Sequence, residues 1–207
     1  YQRKLLEDGY VIADFEQRKQ VIHTATLQAA DNVGGTAVIN DALLEEITAL
    51  NEWPVPITGN FDPRFLKLPA EVLITTMQVN QKYFAVTDKN KKLLPNFITF
   101  SNIESTNPHA IKEGNERVIL PRLGDAEFFW KQDRHSKLSE RTPDLANIIF
   151  QKTLGTLLDK TQRLEALTAY LSTALEIAPE HNCRAALLAK TDLITEMVGG
   201  FPSLQGV

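Results

Sequence analysis

The sequence has little of what marks the specialised classes of protein. It contains one cysteine, Cys183, in 207 residues, which excludes a disulfide scaffold. Glycine and proline number ten each, too few for a collagen-like repeat, and no apolar run approaches the ~18 residues that a membrane span requires. With 43% apolar and 23% charged residues, the composition is that of a globular chain. At about 100–200 residues per domain, this length allows one large domain or two small ones.

Positive charge is in slight deficit. Lysine and arginine number 22 against 26 aspartate and glutamate residues, giving a net charge of −4 and a pI near 5.6. Such a chain is a poor candidate for wrapping nucleic acid over its whole surface, so contacts with phosphates must come from a local basic face. The opening string Tyr1-Gln2-Arg3-Lys4 leads into no apolar signal region. We therefore expect a soluble, cytoplasmic piece of a longer protein, with neither a membrane nor DNA as its partner.

Apolar spacing predicts two structural parts. Residues 1–130 are expected to form an α+β module of mixed sheet and helix, residues 131–144 a linker, and residues 145–207 an all-α domain. In the module we predict helix 15–30, strand 36–39, helix 42–50, extended segment 54–59, helix 69–80 and strands 83–87 and 97–100.

Capping and turn residues support these elements. Asp14 and Asn40 precede the first two helices as N-caps, and Gly34-Gly35 ends the first helix. Two prolines in residues 54–59 favour an edge strand, because proline cannot donate to a sheet ladder.

The later part of the chain carries helix signals. Helices are predicted over residues 145–150, 160–175 and 183–198. The preceding segment, residues 115–127, is also helix-compatible with charges of both signs, but Pro121 within it is expected to bend or break the helix.

Motifs for catalysis or metal binding are missing from this sequence. No GxGxxG or GxxxxGK[ST] string occurs, and no Ser/His/Asp or Cys/His grouping is apparent. His181 and Cys183 supply two soft ligands, which do not make a zinc site. Asp192 and Glu196 would share one helix face, which is more simply a polar surface. We therefore predict no catalytic and no metal-binding residues.

A basic cluster surrounds the predicted hairpin. Four lysines against one aspartate give a local charge of +3, and they are Lys82, Lys89, Lys91 and Lys92 against Asp88. A protruding basic tip of this kind would suit contact with phosphates. A plain solvated turn is the alternative interpretation.

Several long strings carry a family resemblance. They include PAEVLITTMQVNQKYF at residues 69–84, LPNFIT at 94–99, NIE at 102–104, GNERVI at 114–119 and DAEFFW at 125–130, with further matches at 10–14, 121–123, 154–157, 159–161, 192–198, 201–202 and 204–206. In this order they resemble the β subunit of the bacterial two-subunit glycyl-tRNA synthetase. That subunit is much longer, so the chain is identified as a central fragment of such a protein.

The resemblance implies a fold for each part. The α+β module would be similar to the editing-type domain of phenylalanyl-tRNA synthetase β chains, and the helical part to the beginning of an HD-like domain. The helix that would carry the metal-binding His-Asp doublet reads Ala189-Lys190-Thr191-Asp192 here and contains no histidine. A metal-dependent phosphohydrolase needs that ligand, so the resemblance does not extend to hydrolase activity.

The resemblance also implies a function. The family forms an α2β2 glycine–tRNA ligase in which ATP and Mg act at the α subunit, while the β subunit binds the glycine tRNA and needs no cofactor in this region. The residues expected to contact tRNA are basic, namely Lys82, Lys89, Lys91, Lys92, Arg117, Arg122, Lys131 and Arg134. Two alternatives stay open: hydrolytic editing of mischarged tRNA, and a structural spacer.

Overall fold

A computed structural model describes Leu6 and residues 9–207; the opening string Tyr1-Gln2-Arg3-Lys4 lies outside the described residues. The chain divides into two compact units, the first ending at Glu127 and the second covering Phe128–Val207. The division precedes the predicted linker.

The first unit is built on a four-stranded antiparallel sheet with the order β1-β3-β4-β2. The strands are β1 (Thr36–Val38), β2 (Val55–Asn60), β3 (Phe84–Thr87) and β4 (Leu93–Ser101). The predicted hairpin is confirmed as β3 and β4. Strand β2, which contains Pro56 and begins directly after Pro54, lies at an edge of the sheet, as these prolines predicted.

Two helices cover one face of this sheet. Helix α1 (Phe15–Asn32) begins after Asp14, whose Oδ1 accepts from the Gln17 amide at 2.8 Å, and α2 (Asp41–Leu50) begins after Asn40, whose Oδ1 accepts from the Ala42 amide at 2.9 Å. Both predicted N-caps are therefore confirmed. The helices and sheet share an apolar core made of Ile22, Ala29, Ala30, Ala37, Leu43, Leu44, Ile47, Phe84, Val86 and Ile98.

Glycine ends α1 as expected. Gly34 has φ +74°, a left-handed conformation that other residues adopt at a cost. The Gly35 amide donates back to the Ala30 carbonyl at 3.0 Å, which pairs a carbonyl of the last helical turn.

The opposite face of the sheet carries a second aromatic layer. The Tyr83 ring stacks on Phe97 with centroids 4.5 Å apart, and the Tyr83 hydroxyl donates to Asn115 Oδ1 at 2.7 Å. Asn115 belongs to α4 (Pro108–Asp133), which therefore packs on this face. Burial raises the pKa of Tyr83 to about 12, so the phenol keeps the proton that it donates.

A short helix also belongs to the first unit. Helix α3 (Ala70–Thr75) follows a 3₁₀ turn (Pro63–Lys67) and continues into a π-helical turn (Thr76–Asn80). The side chain of Gln78 donates to the Val38 carbonyl at 3.0 Å, which links the π turn to strand β1. The helix predicted over residues 69–80 is confirmed.

Pro121 does not break α4, which contradicts the stronger form of the prediction. The helix runs through 26 residues with Pro121 inside it. Pro121 and Arg117 are both exposed, so water can reach the Arg117 carbonyl that loses its amide donor. The buried residues of α4 are Ile119, Leu123 and Ala126, which recur at helical spacing and form one buried face of the helix.

The second unit contains no separate linker. Helix α4 continues to Asp133, α5 (Leu138–Arg141) is a single turn, and a 3₁₀ segment (Thr142–Asn147) buries Thr142 and Leu145. The polar composition of residues 131–144 suggested a linker. The segment is instead folded into the unit, because Thr142 and Leu145 are buried and Arg141 forms an ion pair with Asp133.

The prediction of an all-α second part is wrong in one place. Residues 149–150 belong not to a helix but to β5 (Ile149–Gln151), which pairs with β6 (Gly155–Thr156). The turn needs Gly155, at φ +87°, where a Cβ would come 2.2 Å from Asp159 Oδ2. The Lys160 Nζ lies 3.8 Å from the centre of the Phe150 ring, an attraction that holds the hairpin against the next helix.

Three further helices complete the second unit: α6 (Leu157–Ala174), α7 (Pro179–Leu188) and α8 (Glu196–Gly200). The Thr156 hydroxyl and the Asp159 carboxylate form a reciprocal cap on α6, and hydrogen bonds from Thr156 lower the pKa of Asp159. The helix predicted over residues 183–198 is interrupted by a 3₁₀ turn (Thr191–Ile194). The break arises because the Thr195 hydroxyl caps α8 by accepting from the Val198 amide at 3.2 Å.

Asp133 joins the end of α4 to the start of α8. Its carboxylate accepts from the backbone amides of Glu196 and Met197 at 3.0 and 2.8 Å, and it pairs with Arg141 at 2.9 Å. A carboxylate at a helix N-terminus satisfies amides that have no partner within the helix. Asp133 therefore connects three segments of the second unit through its carboxylate.

Gly59 is expected to tolerate no side chain. A Cβ at this position would lie 2.2 Å from Phe97 Cζ, so Gly59→Ala must displace a ring at the centre of the aromatic layer. We expect the free energy of unfolding to fall by about 1–3 kcal/mol. Gly114→Ala is the matched control, since a Cβ there meets nothing within 4 Å and favours α4. Urea denaturation measures the free energy of unfolding of both variants. Equal values for Gly59→Ala and Gly114→Ala would contradict the close contact between Gly59 and Phe97.

Removal of the Asp133 carboxylate is expected to destabilise the second unit. Asp133→Ala leaves two amides without an acceptor and removes one of the acceptors of the Arg141 guanidinium, at a cost of about 1–3 kcal/mol. Asp144→Ala, at an exposed aspartate nearby in sequence, is the control. Thermal unfolding followed by circular dichroism measures the difference. A variant as stable as the control would show that the connection contributes nothing.

Candidate nucleic-acid interface

The β3–β4 turn presents three of the predicted basic residues. Lys89, Lys91 and Lys92 are exposed, and Lys91 adopts a left-handed φ of 62°. Asp88 shapes the turn because its Oδ1 accepts from the amides of Asn90 and Lys92, both at 2.8 Å. Its charge is therefore engaged with the backbone. The turn thus exposes three lysines and is held by hydrogen bonds to Asp88.

Lys82 does not belong to this tip, which corrects the predicted cluster of four. It lies before β3, whereas the turn follows β3, and roughly 13 Å of strand separates them. The Lys82 Nζ pairs with Glu46 Oε2 of α2 at 2.9 Å. The tip therefore carries a charge of +2, three lysines against Asp88, and Lys82 is partly neutralised elsewhere.

Arg117 and Arg122 lie on α4 with exposed side chains. They are five positions apart on the helix, about 140° of rotation, so they occupy different sides of the exposed surface. Nearby, Glu116 Oε1 accepts from the Asn60 amide at 2.8 Å and lies 3.8 Å from Lys112 Nζ. The helix thus presents two separate arginines rather than one basic stripe.

Lys131 and Arg134 lie in the second unit and line a shallow cavity of about 420 Å³ together with His135. The Arg134 guanidinium lies 5.8 Å from the centre of the Trp130 ring, and His135 Nδ1 lies 2.7 Å from the Lys131 carbonyl. A cavity lined by three basic residues suits an anion such as a phosphate group. Sequence reasoning missed His135 and Trp130. The spacing of Trp130 and Arg134, four residues apart on a helix, was the available signal.

The residues considered for metal binding are not arranged around a common centre. Cys183 Sγ donates to the Glu165 carbonyl at 3.9 Å. Asp192 and Glu196 do not share a helix face, because Asp192 lies in a 3₁₀ turn and accepts from the Gly206 amide at 2.8 Å. Over Leu6 and residues 9–207, no group of three or more His, Cys, Asp or Glu side chains could hold a metal ion.

Within the part of the chain that the structure describes, no helix combines the length and the apolar character required to cross a bilayer.

Comparison with known proteins identifies the class. The chain is 52% identical over 207 residues to the glycine–tRNA ligase beta subunit of Vibrio cholerae, and 51% identical over 207 residues to that of Coxiella burnetii. It is 50% identical over 202 residues, 98% of the chain, to that of Pseudomonas putida. In each case the chain spans about 30% of the relative's length. The resemblance is thus to one class of protein, the subunits of aminoacyl-tRNA ligases.

A family model described as "Glycyl-tRNA synthetase beta subunit" matches residues 1–207. The chain therefore belongs to the glycyl-tRNA synthetase beta subunit family. The resemblance noted from its sequence strings is confirmed.

Proposed function

We propose that this chain belongs to the tRNA-handling subunit of a cytoplasmic glycine–tRNA ligase, where it helps to hold glycine tRNA against a catalytic alpha subunit. The observation that carries the proposal is the family match across all 207 residues. The proposed assembly is an α2β2 tetramer. The mixed architecture of the first unit is compatible with an editing-type module, and the helices of the second with part of an HD-like domain.

The ligase reaction consumes ATP, glycine and tRNA and yields glycyl-tRNA, AMP and diphosphate. Its first step joins the glycine carboxylate to AMP, and its second transfers glycine to the terminal adenosine of the tRNA. The family resemblance implies that both steps, with ATP and Mg, take place at the alpha subunit, and the lack of a phosphate-binding glycine-rich string in this sequence agrees with that assignment. On its own, the chain is expected to be inactive.

The role proposed for this chain is electrostatic and local. Phosphates of tRNA are attracted to lysine and arginine without regard to base sequence, and such contacts position the nucleic acid. The β3–β4 tip offers three exposed lysines in a fixed turn. The cavity lined by Lys131, Arg134 and His135 offers a second set. Lys82 lies apart from these two surfaces and pairs with Glu46 of α2.

The test is a fluorescence titration of the chain against glycine tRNA and a non-cognate tRNA at two salt concentrations. We expect saturable binding that weakens with salt. The variant K89A/K91A/K92A should reduce the slope of log K against log salt by about 2–3, since each phosphate contact contributes about 0.7–0.9.

A matched control removes the same net charge elsewhere. The variant K67A/K137A/K152A replaces three exposed lysines outside the proposed surfaces and should leave the salt slope nearly unchanged. Equal losses in both variants would show only a general charge effect. Absence of binding by the folded chain at low salt would contradict the proposal and favour a spacer. Release of amino acid from mischarged tRNA would favour editing.

A further inference from the structure

A second cavity, in the first unit, lies apart from the basic residues assigned to tRNA. Its volume is about 480 Å³. It is lined by residues from three segments, namely Gly9, Tyr10 and Val11, then Glu52 and Trp53, and finally Asn102, Ile103 and Glu104. Two of the strings that carried the family resemblance, at residues 10–14 and 102–104, contribute to its wall.

Hydrogen bonds between the segments fix the shape of this cavity. The Asn102 Oδ1 atom accepts from the backbone amides of Glu52 and Trp53 at 2.7 and 2.8 Å. The Ile12 amide donates to the Glu52 carbonyl at 2.9 Å, and the Ser101 hydroxyl donates to the Ile103 carbonyl at 2.7 Å. The backbone segments around the cavity are therefore held together by hydrogen bonds.

Two aromatic rings form perpendicular walls. The centroids of Tyr10 and Trp53 lie 5.3 Å apart, and their planes meet at 88°. The negative face of an aromatic ring attracts cations, most strongly in tryptophan. Tyr10 is 59% exposed, so a side chain from another molecule can reach this corner.

The charged residues that line the cavity are acidic. Glu52 and Glu104 both line it with exposed side chains, and none of the lining residues that the structure describes is basic. Over the described part of the chain, neither carboxylate has an ion-pair partner. We propose that this cavity binds the guanidinium group of an arginine side chain presented by a protein partner.

Chemistry favours a guanidinium over the other candidates. It is planar and weakly hydrated, so it stacks on tryptophan while its edge donates to carboxylates, whereas the compact lysine ammonium is more strongly hydrated. A nucleotide could stack on the same ring, but its phosphate would approach two carboxylates with no basic residue to receive it. This inference does not depend on the tRNA role proposed above.

The experiment titrates the ¹⁵N-labelled chain with Nα-acetyl-arginine methylamide and follows the indole N–H signals. The chain has two tryptophans, and Trp53→Phe identifies the signal of Trp53. We expect a saturable shift of the Trp53 signal with a dissociation constant of roughly 1–10 mM, and no shift of the Trp130 signal. The citrulline analogue, a neutral isostere, should produce no saturable shift.

Charge variants test the contribution of the carboxylates. Glu104→Gln should raise the dissociation constant about two- to fivefold, as removal of one exposed ion pair predicts, and Glu71→Gln at an exposed site in α3 should not. Equal shifts with arginine and citrulline, or no shift at about 50 mM arginine, would overturn the proposal. Tighter binding of the lysine analogue or of AMP would likewise overturn it, in favour of an ammonium or nucleotide site.

Discussion

The close approach of Phe97 to Gly59 determines how the first unit is layered. The ring occupies the space of a missing side chain on β2 and thereby holds β2 and β4 together on the face opposite α1 and α2. It also supplies the surface on which Tyr83 stacks, and Tyr83 in turn binds Asn115 of α4. The position of α4, and therefore of Arg117 and Arg122, depends on this sequence of contacts.

Local signals in the sequence predicted much of this architecture. The caps at Asp14 and Asn40, the glycine stop after α1 and the edge position of β2 all follow from the chemistry of one or two residues, and all are found. Features that depend on distant partners could not be predicted. Asp133 reaches α8 some sixty residues later, and the position of Lys82 seven residues before Lys89 gave no sign that Lys82 would pair with Glu46.

The local distribution of charged residues, rather than the net charge, determines which ligands each surface of this chain can attract. The chain carries a net charge of −4. The turn between β3 and β4 nevertheless exposes three lysines, and the carboxylate of Asp88 beside them accepts hydrogen bonds from the backbone of that turn. In the second unit, Arg134 lies against Trp130 beside Lys131 and His135. Such local basic surfaces can attract phosphate groups even though the net charge of the chain is negative. The acidic aromatic cavity at Trp53 suits a cationic partner for the same reason.

Hydrogen–deuterium exchange, with and without saturating glycine tRNA, tests the central claim most directly. The claim is that the two basic surfaces, and not the acidic cavity, contact the tRNA. Amides of residues 88–92 and 131–135 should exchange more slowly in the complex, while those of residues 9–12 and 52–53, at the acidic cavity, should not change. Protection at the acidic cavity, or none at either basic surface once the tRNA is bound, would contradict the account.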